Sequence, residues 1–124
     1  MDKKRILVID DEISITKFLK FALEHNGRFE VHCENGGKQG LAALRTFTPH
    51  LVLLDVDLQD MQGGDVEAIL KEDPVWRNIP IIFLTGMLSQ EEMQSGFTIG
   101  GYPALAKPIR IEKLIECIDK SLPV

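Results

Sequence analysis

Cysteine, tryptophan and tyrosine are scarce: two, one and one in a chain of 124 residues. Cys33 and Cys117 lie far apart and form no CxxC pair, which removes a zinc ribbon or a redox dithiol as the organising device. In an expected strand and an expected helix they read as small core residues. Long apolar runs are missing too. The basic amino terminus, Met1-Asp2-Lys3-Lys4-Arg5, leads into a short apolar run that Asp10, Asp11 and Glu12 interrupt, so no signal peptide is indicated. No stretch approaches the roughly 20 apolar residues of a membrane-spanning helix. A cytoplasmic protein without a membrane partner is expected. Basic residues are outnumbered, 14 Lys and Arg against 19 Asp and Glu, and the formal net charge of -5 gives no electrostatic reason for direct nucleic-acid binding.

What is present suits one ordinary globular domain over residues 1–124, with 44% hydrophobic and 27% charged residues. Four short apolar runs recur: Ile6-Leu7-Val8-Ile9, Leu51-Val52-Leu53-Leu54, Ile81-Ile82-Phe83-Leu84 and the weaker Ala104-Leu105-Ala106. Each ends at a polar or small residue, as buried parallel strands do. Phe29-Glu30-Val31-His32-Cys33 alternates apolar and polar side chains and reads as an edge strand flanking the first. Between them lie helical stripes: Ile15, Phe18, Leu19 and Ala22; Gly40, Ala43, Leu44 and Phe47; Val66, Ile69 and Leu70; and, clearest, Ile111, Leu114, Ile115, Ile118 and Leu122. A weaker fourth segment carries a possible capping box, Ser89 and Glu92, with Met93 and Phe97 as a thin apolar face that suits a contact surface.

Strand and helix thus alternate five times, which predicts an α/β fold with a five-stranded parallel sheet covered on both faces by five helices. In such sheets function collects at the carboxyl ends of the strands. Those ends carry Asp10 and Asp11, Asp55, Thr85 and Lys107. Three converging carboxylates repel one another, so they need a cation, a proton or a lysine nearby. Oxygen ligands of this kind suit Mg²⁺, which keeps several waters and is held by a few carboxylates plus a phosphate. A carboxylate is also a nucleophile toward phosphorus, in a reaction that depends on in-line positioning and charge neutralisation. Thr85 offers a hydroxyl and Lys107 a point charge for that chemistry.

The motifs Val8-Ile9-Asp10-Asp11-Glu12, Leu53-Leu54-Asp55, Phe83-Leu84-Thr85-Gly86 and Ala106-Lys107-Pro108, in this order, resemble the response-regulator receiver family of the CheY-like, single-domain type. The resemblance covers essentially the whole chain, and since the pattern runs from Arg5 to about Leu122 no output domain is expected within it, although a receiver excised from a longer regulator or hybrid kinase would read the same way. It implies a doubly wound flavodoxin/CheY-like sheet of strand order 2-1-3-4-5. It implies Asp55 as phosphoacceptor, with Mg²⁺ held by Asp10, Asp11, Asp55 and the backbone carbonyl of Asp57, and with Thr85 and Lys107 contacting the phosphoryl group. A cis Lys107-Pro108 bond follows from the same likeness. So do the partners: a sensor histidine kinase or histidine phosphotransfer protein as donor, and a downstream protein on the face of the fourth helix, fifth strand and fifth helix. The domain would catalyse only its own phosphorylation and slow dephosphorylation.

The chain departs from the family pattern in places. Ala104 stands where an aromatic residue commonly couples to the threonine, and Tyr102 lies two residues earlier. Either Tyr102 takes over part of that role or the coupling is absent. Gln59 replaces a frequent proline, and Asp57 adds an acidic side chain beside the acceptor. His25, His32 and His50 lack ligand-like spacing, and Trp76 reads as local packing. Two other readings are a receiver-like interaction module that works without phosphorylation and a haloacid-dehalogenase-type phosphatase, suggested by Asp55-Val56-Asp57. Gln59, the short chain and the unexplained Asp10-Asp11 pair count against the phosphatase.

Overall fold

The computed structural model describes residues 2–86 and 97–123. Along the chain run β1 (Lys4–Ile9), α1 (Ile13–His25), β2 (Phe29–Glu34), α2 (Gly37–Phe47), β3 (Leu51–Asp55), α3 (Gly63–Glu72), β4 (Ile81–Thr85), β5 (Thr98–Ile99), β6 (Tyr102–Ala106) and α4 (Ile111–Ser121). All five expected strands form, in the spatial order β2-β1-β3-β4-β6 and parallel throughout. The pure apolar runs of β1, β3 and β4 are buried because helices cover both faces of the sheet. On one face Ile6, Val8, Leu53 and Leu84 meet Leu19 and Leu23 of α1 and Leu114 and Ile118 of α4. On the other, Leu7, Ile9, Leu54 and Phe83 meet Ala43 and Leu44 of α2 and Val66 and Leu70 of α3. The two cysteines border the first of these clusters, as small half-buried side chains.

The expected architecture needs correction at the sheet edge. A sixth strand, β5, pairs antiparallel with β6, Thr98 opposite Pro103 and Ile99 opposite Tyr102. Gly100 and Gly101 make the turn between them, both in the left-handed region with φ of 57° and 88°. That is the backbone a two-residue hairpin needs to match strand twist, and only glycine adopts it freely. Among the described residues there are four α-helices. The helix expected around Ser89, Glu92 and Met93 lies outside them. Phe97, at the end of that stripe, is half-buried against the second cluster, and its carbonyl accepts the Ala104 N–H at 3.1 Å.

Two helical stripes also differ from expectation. Phe18 is 49% exposed and Ile69 48% exposed. The inward face of α1 is Thr16, Leu19 and Leu23, and Phe18 sits about 100° around the axis from Leu19, which carries it past the contact. In α3, Val66 and Leu70 fill the same role and Ile69 turns outward.

The open edge of β2 is closed from α1. Glu24 Oε2 accepts the Val31 N–H at 3.0 Å, Lys20 Nζ donates to the Val31 carbonyl at 2.6 Å, and the two side chains pair at 3.2 Å. One ion pair therefore stands in for a neighbouring strand at mid-edge, where unpaired backbone groups would invite association. The Val31 N–H holds the Glu24 carboxyl below its ordinary range, so this contribution is present near neutrality and is lost as pH falls through that lowered value. Glu24→Ala should lower unfolding free energy in urea at pH 7 by about 1 kcal/mol and speed exchange of the Val31 amide. Unchanged exchange there would show that the clamp does not hold the edge.

Candidate functional site

The strand registers fix the site. Ile9 lies opposite Leu54, Asp55 opposite Leu84, and Thr85 opposite Ala106, so the polar residues that end or follow β1, β3, β4 and β6 surround one crevice. Asp10 is fully buried, and Asp55 and Thr85 are nearly so. One carboxylate oxygen from each of Asp10, Asp11 and Asp55 lies within 4.8 Å of the others.

Asp10 is held on three sides. Its N–H donates to the Glu34 carbonyl at 3.1 Å, its carbonyl accepts from Asn35 Nδ2 at 2.8 Å, and its Oδ1 accepts the Glu12 N–H at 2.9 Å. Its other oxygen, Oδ2, is buried without an aligned hydrogen bond, although Lys107 Nζ stands 2.9 Å away as an ion-pair partner. The same ammonium lies 3.3 Å from Asp55 Oδ2 and 3.6 Å from Glu12 Oε1. Asp55 Oδ1 accepts the Asp57 N–H at 3.3 Å. The Lys107 N–H donates to the Thr85 carbonyl at 2.8 Å, and a cis bond joins Lys107 to Pro108.

These contacts set the charge states. Burial, then the Asp10 charge, pushes the Asp55 carboxyl up to about 6, and the Asp57 N–H and Lys107 only partly offset this. Burial alone would lower the Lys107 ammonium, but Asp10 and Asp55 reverse that and hold it above its ordinary value. One lysine thus faces three carboxylates. The hard oxygen donors and the under-bonded Asp10 Oδ2 fit a divalent cation in the crevice.

The structure brings Asp10, Asp11 and Asp55 together with Lys107, and Thr85 ends the neighbouring strand, its carbonyl bonded to the Lys107 N–H. Asp57 borders the group: its N–H reaches Asp55, and its carboxylate accepts from Gln62 Nε2 at 3.3 Å. The backbone here requires Gly63, since a Cβ on it would stand 2.4 Å from the Asp55 carbonyl oxygen. Asn35 was not legible in advance, and Glu12, although part of the Asp10-Asp11-Glu12 motif, was not assigned as the third carboxylate neighbour of Lys107. Tyr102 packs edge-on against Phe83 with ring centroids 6.1 Å apart, and Lys71 Nζ lies 5.3 Å over its ring. Tyr102 lies four residues before Ala106, the strand partner of Thr85, and its ring packs on Phe83, two residues before Thr85.

A cleft of about 530 Å³, lined by Ser14, Ile15, Phe18, Pro108 and Ile109, opens beside Glu12 and Lys107.

Because Asp55 titrates near 6 in the fold against 3.8 unfolded, its favourable contribution is complete below the unfolded value and is lost as pH rises through 6. Without divalent cations, Asp55→Asn should be more stable than wild type at pH 8 by about 1–3 kcal/mol. The gap should close between pH 6 and 4, as read by urea unfolding in EDTA. A gap independent of pH would contradict the buried-carboxylate account.

Comparisons with known proteins agree with this geometry. Over residues 6–119 the chain matches the family model described as response regulator receiver domain. It is 34% identical over 113 residues to the DNA-binding response regulator MtrA of Mycobacterium tuberculosis, covering 91% of this chain and 48% of that protein. It is 33% identical over 109 residues to a probable cyclic di-GMP phosphodiesterase of Vibrio cholerae, covering 88% of this chain and 24% of that one. The chain thus spans about half the length, or less, of these relatives. Among solved structures, the chemotaxis protein CheY4 of Vibrio cholerae superposes with a TM-score of 0.84 at 26% identity, covering 98% of this chain and 100% of that one. A CheY-like receiver domain protein from Methanospirillum hungatei gives 0.78 at 28%, covering 96% and 93%. With the match across nearly its whole length and the acidic crevice at its strand ends, this chain belongs to the response regulator receiver domain family.

Proposed function

We propose that the chain is a phosphoacceptor switch of two-component signalling in which Asp55 is the acceptor. The observation that carries this is the convergence of Asp10, Asp11 and Asp55 within 4.8 Å, with Lys107 contacting both Asp10 and Asp55. Mg²⁺, held by these three carboxylates and the Asp57 carbonyl, would supply neutralisation of the phosphoryl charge. An Asp55 carboxylate oxygen attacks phosphorus to form the acyl phosphate. The bond from phosphorus to the donor breaks, and the leaving imidazole of a phosphohistidine, or acetate from acetyl phosphate, keeps the electron pair. No general base is required, since above about pH 6 the attacking carboxylate is mainly ionised. Lys107 and the Thr85 hydroxyl then contact the transferred group, and their movement biases a two-state equilibrium of the surface.

The donor is a histidine kinase or histidine phosphotransfer protein. The cleft beside Lys107, with the exposed apolar side chains Ile13 and Phe18 on α1, gives such a donor a surface next to the acceptor. The output partner binds the face that includes β6 and α4. Asp57 has its carboxylate beside Gln62 Nε2 at 3.3 Å, and in this reading the domain takes one phosphoryl group and releases it slowly. A cytoplasmic location accords with the absence, among the described residues, of any helix long and apolar enough to cross a membrane. A reading as an interaction module without phosphorylation draws only on Ala104.

Intact mass after incubation with acetyl phosphate should show one Mg²⁺-dependent, hydroxylamine-labile adduct, missing in Asp55→Asn. Comparable labelling of that variant would reject Asp55 as acceptor. Lys107→Ala should keep Mg²⁺ binding, followed by calorimetry, but lose the phosphorylation-dependent change in amide exchange over β6 and α4. A full response in that variant would remove Lys107 from the switch.

A further inference from the structure

The amino terminus of α2 has no cap of its own. Its N-cap residue is Gly36, and its first turn holds no acidic residue. A helix start leaves four backbone N–H groups without intrahelical partners. Two of these are taken by a residue more than 20 positions away: Asp60 Oδ1 accepts the Gly37 N–H at 2.9 Å, and Oδ2 accepts the Lys38 N–H at 3.0 Å. Those two N–H groups hold the Asp60 carboxyl below its ordinary range, so it stays ionised at neutral pH. The neighbouring residue seats against the same helix start, since a Cβ on Gly37 would stand 2.4 Å from Met61 Cγ. Gly37 thus admits the loop.

The other end of that loop is the acceptor itself. The Gly63 N–H donates to the Val56 carbonyl at 2.8 Å, Asp57 and Gln62 form an antiparallel bridge, and the Asp57 N–H reaches Asp55 Oδ1. Residues 56–62 are therefore a short ribbon, closed at its base beside Asp55 and capping α2 near its tip. A ribbon cross-bonded in this way moves as a unit, and a charged bidentate cap is a firm attachment.

We propose that Asp60 couples the phosphorylation state of Asp55 to α2, making the amino-terminal part of α2 a second responsive surface. The coupling rests on the assignment of Asp55 as acceptor. It needs no aromatic residue at position 104, because it leaves the site through the acceptor's own loop rather than through β4 and β6.

Amide exchange of Gly37 and Lys38 tests it, in wild type and in Asp60→Ala and Asp60→Asn, each before and after acetyl phosphate with Mg²⁺, while intact mass reports the adduct. In wild type, exchange at these two amides should change on phosphorylation. In Asp60→Ala it should be about fivefold faster in both states, the size of an ordinary lost cap, with no phosphorylation-dependent difference and with the adduct formed as in wild type. Asp60→Asn, which keeps one acceptor oxygen, should restore part of the response. A phosphorylated wild type with unchanged exchange at α2, or an undiminished response in Asp60→Ala, overturns the coupling. Absence of any adduct overturns the acceptor assignment instead and leaves the coupling without an input.

Discussion

The ammonium of Lys107, 2.9 Å from Asp10 and 3.3 Å from Asp55, is the interaction on which the site depends. It lets two carboxylates be buried at adjacent strand ends. Removing water from such groups is expensive, and their repulsion adds to the cost. A single positive charge does not cancel three negative ones, so the Asp55 carboxyl remains pushed up to about 6 and Asp10 Oδ2 remains under-bonded. The site is stable enough to fold and still short of positive charge. That residual deficit is what a divalent cation relieves, and it is set by residues that end or follow three strands, β1, β3 and β6.

The crevice exists because the sheet is parallel and covered on both faces, which leaves the carboxyl ends of the strands as the open place for polar groups. Its floor is equally constrained. The chain must fold back after Asp55 so closely that position 63 has no space for a Cβ, and α3 begins at that same residue. Gln62 links the two requirements, because an amide carries both an acceptor and donors. Its side chain takes part in the capping box with Asp65 at the start of α3, while its Nε2 reaches the Asp57 carboxylate. A carboxylate at that position would cap the helix but could not donate to Asp57.

The three central strands were legible because they are unbroken apolar runs buried on both faces, and β2 because its apolar and polar side chains alternate. The carboxylates and Lys107 were legible because each directly ends or follows such a run. What escaped was whatever depends on rotation or on distant partners. Phe18 and Ile69 sit at helical spacing, yet one step around the helix takes them to solvent, and the stripe alone does not decide which of two neighbouring residues faces in. The β5–β6 hairpin was not read from the sequence, because two strand residues are too few to show a period. Glu24 on Val31 and Asp60 on α2 join side chains to backbone groups elsewhere in the chain, and no spacing rule reaches that far.

The small side chain at 104 bears on how a change at the acceptor leaves the site. Ala104 lies opposite Phe83, is buried, and offers no ring that could swing into space vacated by Thr85. The one tyrosine packs against Phe83 and lies under Lys71. Lys71 is itself paired with Glu67 on α3 at 3.1 Å, so the ring is tied to that helix rather than to the acceptor. A signal that leaves the acceptor needs an element with two arrangements whose balance the acceptor biases. Here the loop after Asp55 reaches the acceptor through the Asp57 N–H and α2 through the exposed carboxylate of Asp60, while Leu58 and Met61 anchor it against the second core cluster.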